Sequence, residues 1–226
     1  MSTKKNISPS YINSVFAEKN DISHDFFDNL TIRTDKDINQ NEKIINFYQK
    51  KLIKSAVLVP IVFDEGQCSI LLTYRSAKLK DHANQISFPG GRIDQDDISP
   101  VHTAIRETFE EIGIDKKHIN IIGNLDAYVT GTGFHILPII SVIAKEYTTN
   151  INFKEVDSIF KLPLDFLMDN NNHEVDTKLY DNGNTSYNYN FNVINYDNHY
   201  IWGATASILL NLYEKLKWLI KTLNIF

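Results

Sequence analysis

The run Ala56-Val-Leu-Val-Pro-Ile-Val-Phe63 is apolar without a break, and Ser69-Ile-Leu-Leu-Thr-Tyr74 follows it after Asp64-Glu-Gly66. An unbroken apolar run of this length fits a strand covered on both faces, and the polar turn between the two runs predicts a hairpin. Ahead of the first strand, residues 1–54 are polar and charged. They hold two weakly amphipathic stretches, near 9–18 and 41–53, that read as peripheral helices.

Beyond the hairpin, Phe88-Pro-Gly-Gly91 turns the chain sharply. A helix is then predicted over 99–112. Ser99 supplies the N-cap, Pro100 fits the first helical position, and Gly113 stands where a left-handed C-terminal cap belongs. Val101, Ala104, Ile105, Thr108 and Ile112 give that helix its apolar stripe.

Strands are expected at 119–127 and 135–144, joined by Thr130-Gly-Thr-Gly133, and a turn at Pro163 leads into a short helix around 164–168. Residues 173–194 alternate about an Asp181-Asn-Gly183 hairpin signal. A long helix closes the chain over about 203–223, and its stripe of Ile208, Leu209, Leu212, Leu216 and Leu219 belongs in the core or at a homodimer face. Strands dominate the middle and helices flank it. The expectation is an α+β fold with a mixed sheet over 55–226 and an N-terminal helical extension over 1–54.

Composition narrows the function classes. A formal net charge of -5 argues against a nucleic-acid-binding surface as the main function. The single cysteine, Cys68, allows no disulfide within the chain, fits a reducing compartment, and alternates with its neighbours like a buried strand residue. The N-terminus lacks the apolar run of a secretory signal and no stretch reaches spanning length, so a cytoplasmic protein without a membrane partner is expected.

Chemistry concentrates on the 99–112 helix. Glu107, Glu110 and Glu111 are separated by steps of three and one, which places their carboxylates on neighbouring parts of one face. Three like charges so close repel, at a cost of a few tenths of a kcal/mol per pair in solvent. Carboxylate oxygens are what Mg²⁺ or Mn²⁺ prefers, so a divalent cation would turn that cost into a gain. Arg106 can pin the cluster through charge-assisted hydrogen bonds. The carbonyl of Gly91 or Gly90 offers a further oxygen ligand.

The stretch from Gly90 to Ile114, with Arg106-Glu-Thr-Phe-Glu-Glu-Ile-Gly113 at its heart, resembles the Nudix box. Its second half matches residue for residue, whereas Asp97 is the nearest counterpart of the first-half Glu and one extra residue separates Gly91 from Arg106. Leu71-Leu-Thr-Tyr-Arg-Ser-Ala77, Lys80, His82 and Phe88-Pro-Gly-Gly91 resemble the motif upstream of the box in coenzyme A pyrophosphatases, with Lys80 in place of Arg and Asn84 in place of Gly. The resemblance covers roughly residues 55 to 210. It implies an α/β/α sandwich and a metal-dependent hydrolase that splits coenzyme A or its derivatives into 3′,5′-ADP and 4′-phosphopantetheine.

The roles that follow are metal ligation by Glu107, Glu110, Glu111 and Gly91, and pinning by Arg106. Glu155 and Glu107 are rival bases for an attacking water. Arg75 and Lys80 are expected on phosphate, Phe134 as a wall for adenine or pantetheine, and His82 as a hydrogen-bonding loop residue. The nearest alternative is the same reaction on another nucleoside diphosphate derivative such as ADP-ribose. A non-catalytic ligand sensor on the same fold would be expected to have lost one of the three glutamates, and all three are present.

Overall fold

The apolar run near residue 60 forms a long strand, β2 (Ile53–Asp64), which a hairpin turn at Gly66 connects to β3 (Gln67–Arg75). The computed structural model describes Ile12, residues 32–34, 52–64, 66–181, 183 and 186–222. Both faces of β2 are covered. Ala56, Leu58 and Val62 belong to one buried cluster, while Val59 and Ile61 belong to the other. A strand sealed on both sides has no polar alternation to show, which is why its signature is a continuous apolar run.

β2 pairs in parallel with β8 (Phe134–Ile143) over nine positions and antiparallel with β5 (Gly90–Arg92). β3 pairs antiparallel with β4 (Ile86–Ser87) and with β9 (Val156–Pro163). β8 also pairs with β6 (Ile119–Asn124) and β7 (Ala127–Val129), and β1 (Ile32–Thr34) lies parallel to β7. The result is one nine-stranded mixed sheet.

Helix α1 (Pro100–Ile112) packs on one face through Ala104 and Ile112, against Leu58, Leu71, Leu137 and Ile139. Truncating a fully buried Leu or Ile in such a layer costs about 2–5 kcal/mol. The opposite face is covered by the short helix α2 (Leu164–Met168) and by α3 (Gly203–Thr222), whose Ile208, Leu209, Leu212 and Leu216 are buried in the same cluster as Ile12, Val59 and Ile70. The protein is thus an α/β/α sandwich. Ile208, Leu209, Leu212 and Leu216 of the stripe on α3 serve this chain's own core; the side chain of Leu219 lies outside the described residues.

A second, three-stranded antiparallel sheet holds β10 (Glu174–Asp181), β11 (Ser186–Tyr196) and β12 (His199–Trp202). The expected hairpin is present, with Gly183 N–H donating to Asp181 Oδ1 at 2.8 Å.

One expected strand is broken, and two further strands were not legible in the sequence. The predicted strand 119–127 breaks after Asn124, because the Asp126 backbone N–H donates to Asn211 Oδ1 and its carboxylate accepts from Arg33 and Asn211. β9 and β12 lacked a readable period: β9 mixes exposed and buried positions because it packs beside β3, and β12 is only four residues long. Within the N-terminal extension, Ile12 is buried in the core and 32–34 forms the strand β1; the stretches read as helices at 9–18 and 41–53 otherwise lie almost entirely outside the described residues.

Candidate active site

Helix α1 is fixed at both ends by the residues that predicted it. Ser99 Oγ accepts from His102 N–H at 3.1 Å, and Gly113, at φ 73°, donates its N–H to Phe109 O at 2.9 Å. A side-chain cap of this kind is worth about 1 kcal/mol. Only the last turns of the helix carry the acidic cluster, and they face β5 and the loop before β9.

Glu111 is the most enclosed of the three glutamates, at 2% exposure. Its Oε2 accepts from Gly90 N–H at 3.2 Å, and its Oε1 lies 3.7 Å from Arg75 Nη1. Burial pushes its carboxyl up to about 8, with Glu107 and Glu155 adding repulsion and Arg75 and Gly90 only partly offsetting it. Glu107 is raised as well, first by burial and then by Glu110 and Glu155, against the pull of Arg106. Its carboxylate occupies the space a Cβ on Gly91 would need, so strand and helix approach this closely only because residue 91 lacks a side chain.

Arg106 organises the outer side. Its Nε and Nη2 grip Asp97 Oδ1 and Oδ2 at 3.0 and 2.8 Å, a two-pronged pair that holds the Asp97 carboxyl well below the usual carboxylate range. Asp97 also accepts from Thr103 Oγ1 and from Asp94 N–H. The remaining nitrogen, Nη1, reaches Glu107 Oε1 at 2.9 Å and Glu110 Oε2 at 3.2 Å. Asp97, the nearest counterpart of the first-half Glu in the motif, is thus held by the motif's own arginine.

Glu155 comes to the cluster from another part of the chain. Asn152 N–H donates to Glu111 O at 3.0 Å, Asn150 N–H to Ile112 O at 2.8 Å, and Ser76 N–H to Glu155 O at 2.8 Å. These bonds stitch the loop before β9 to the end of α1 and to β3. Asn152 Nδ2 then donates to Glu155 Oε1 at 3.0 Å. Asn152 escaped the sequence reading because a single Asn in a loop carries no pattern; only the docked loop shows its task.

Arg75 ends β3 with its Nε buried and, among the described residues, without a hydrogen-bond partner. Lys80 is exposed on the following loop. Asn84 takes φ 60°, so it does adopt the left-handed backbone that a Gly would suit, and His82, at φ 58°, bonds through Nδ1 to Gln85 Oε1 at 3.0 Å. Phe134 is half-buried, with the Arg92 guanidinium 5.5 Å above its ring and the His82 ring edge-on at 6.3 Å. Neither Arg92 nor His82 was linked to Phe134 by spacing in the sequence. Cys68 is buried, and desolvation pushes its thiol up to about 12, which removes it from nucleophilic chemistry.

Among the described residues, no three His, Cys, Asp or Glu side chains converge as a ready-made metal cage. The expected triad of Glu107, Glu110 and Glu111 is divided, since Arg106 Nη1 bridges the first two while Glu111 turns to Gly90. The donor chemistry nevertheless fits a hard divalent cation. Buried Glu111 is repelled by half-buried Glu107 and by Glu155, and a cation would relieve that repulsion.

A glutamate-bearing helix is thus held by an arginine beside a Gly-Gly strand, on an α/β/α sandwich. The Nudix domain family matches residues 52–181. The chain is 33% identical over 164 residues to NudL of Yersinia pestis and of Yersinia pseudotuberculosis, each described as an uncharacterized Nudix hydrolase, with 72% of this chain and 79% of those proteins covered. This chain belongs to the Nudix family, as a hydrolase of the class that cleaves diphosphates in nucleoside diphosphate derivatives. Among solved structures, a MutT/nudix family protein from Enterococcus faecalis aligns with a TM-score of 0.47 and 12% identity, over 96% of this chain and 76% of that one. A C. elegans Ap4A hydrolase aligns with a TM-score of 0.43 and 22% identity, over 50% and 82%.

Proposed function

We propose that the chain hydrolyses the diphosphate of coenzyme A or a close derivative, giving 3′,5′-ADP and 4′-phosphopantetheine. The observation that carries this reading is the meeting of Arg75 with Glu111 at the end of α1. Arg75 lies within the segment that resembles coenzyme A pyrophosphatases, and Glu111 within the box that resembles the Nudix signature. Substrate-recognition and hydrolytic residues are thereby adjacent.

Nudix hydrolases generally use divalent ions such as Mg²⁺ or Mn²⁺. Here Glu107, Glu110, Glu111 and the Gly91 carbonyl would hold them. When bound, such a cation lowers the pKa of water and neutralises charge on phosphoryl oxygens. Glu155 accepts the proton from the water that attacks one phosphorus, with Glu107 as the rival base. Arg75 brings its partly exposed guanidinium to the diphosphate, and Lys80 adds a point charge where an arginine fork would be more selective. Phe134 packs against the adenine or pantetheine portion. Arg106 positions Glu107 and Glu110 and does not itself touch substrate.

The test is a panel of coenzyme A, an acyl-coenzyme A, ADP-ribose and diadenosine polyphosphates, each incubated with Mg²⁺ or Mn²⁺, with products identified by mass spectrometry. Release of 4′-phosphopantetheine or its acyl form is the expected result. Turnover of ADP-ribose without coenzyme A would move the assignment to another nucleoside diphosphate derivative. No turnover with either metal would overturn the catalytic reading.

A further inference from the structure

We infer that a second copy of this chain pairs antiparallel with the outer edge of β10, across a two-fold axis at Thr177. β10 is one edge of the three-stranded sheet, and among the described residues nothing pairs with its outer side. An exposed edge is a template for another strand unless something blunts it. Proteins usually do so with Pro, a bulge, a short strand or unmatched charge. β10 contains no Pro, its register with β11 runs over eight residues without a shift, and residues 174–179 are all exposed. Val175 and Leu179, 59% and 61% exposed, lie four residues apart on one face.

Symmetry and charge then select among the registers centred on residues 175–178. A two-fold perpendicular to the sheet keeps each side chain on its own face, so the axis must pass through a residue position and not between two. Centring it on Asp176 or on Lys178 sets like charges directly opposite, and centring it on Val175 sets Glu174 against Asp176; such pairs are destabilising. Centring it on Thr177 places Asp176 opposite Lys178 in both directions and Val175 opposite Leu179. The lysine that would otherwise guard the edge is thereby matched. The two exposed apolar side chains cover each other, and the two sheets join into one of six strands.

The experiment is light scattering on the purified full chain from about 10 µM to 1 mM, with concentrations bracketing the weak end of protein–protein affinity. The wild type should rise toward twice the monomer mass. Lys178→Asp and Asp176→Lys should each hold it at the monomer mass, and the double exchange should restore the dimer. Because Asp176 also accepts from Tyr200 Oη and from the Thr177 N–H, Lys178→Asp is the cleaner single change. As an independent readout, Thr177→Cys should give a disulfide-linked dimer under mild diamide oxidation while Lys154→Cys, on an exposed loop, should not; buried Cys68 does not compete. A monomer at every concentration, a dimer indifferent to both single reversals, or no selective cross-link at Thr177 would overturn the pairing.

Discussion

The carboxylate of Glu107 lies in the space that a β-carbon on Gly91 would fill. The glycine is needed there for clearance, since it is absent from the residues with left-handed backbone. Gly91→Ala should therefore displace Glu107 while leaving both hydrophobic layers in place. Activity is expected to fall about 10–100-fold, as for other residues that orient metal ligands. Steady-state turnover with a thermal melt checks this; an alanine variant with full activity would show that the position of Glu107 is immaterial.

Asp97 holds two of the three nitrogen positions of Arg106. Asp97→Asn weakens that grip and frees the guanidinium to settle on Glu107 and Glu110, where it competes with a cation. The expected outcome is a half-saturating Mg²⁺ concentration raised about 10–100-fold and a loss of stability of about 1–3 kcal/mol. Metal titrations of activity and urea unfolding read the two effects separately. Asp97→Glu, which restores the charge, should recover most of both.

Burial raises the Glu111 carboxyl from its ordinary 4.5 to about 8. Between those values the metal-free folded protein keeps a proton that the unfolded chain has released. Stability therefore declines as pH rises through that window and levels off above it. Glu111→Gln removes the titrating group and should flatten the decline. Divalent cation binds the deprotonated form, so its stabilising effect should grow with pH in the wild type. Melting temperatures measured in chelator and in Mg²⁺ across the window test both statements; parallel curves for wild type and variant would refute the first.

Glu155→Gln should reduce kcat about 10²–10⁴-fold with little change in KM if it takes the proton from water. Asn152→Ala, which releases the Glu155 side chain without altering its charge, should give a smaller drop in the same parameter. If Glu155→Gln turns over normally, the base is Glu107.

What could be read in advance follows from the range of each interaction. Helix α1 announces itself because Ser99, Pro100 and Gly113 act on neighbours within a few residues, and β2 because both its faces are covered. The glutamates and Arg106 were legible from spacing along one helix. Their partners were not. Gly90 meets Glu111 across 21 positions, and Ser76 meets Glu155 across 79, so no local pattern encodes either contact. The division of the triad by Arg106 was also hidden, because helical spacing fixes which face a side chain leaves from and not where its carboxylate turns.

Gly113 ends helix α1, and a β-carbon there would strike the backbone of Asn150. The loop carrying Glu155 is thus seated on the helix end through a gap one atom wide. A larger residue at 113 would lift that loop like a shim under a hinge, carrying Glu155 away from the carboxylates while the sheet beneath stayed whole. The helix stop therefore doubles as the gauge that sets how closely the two halves of the site meet.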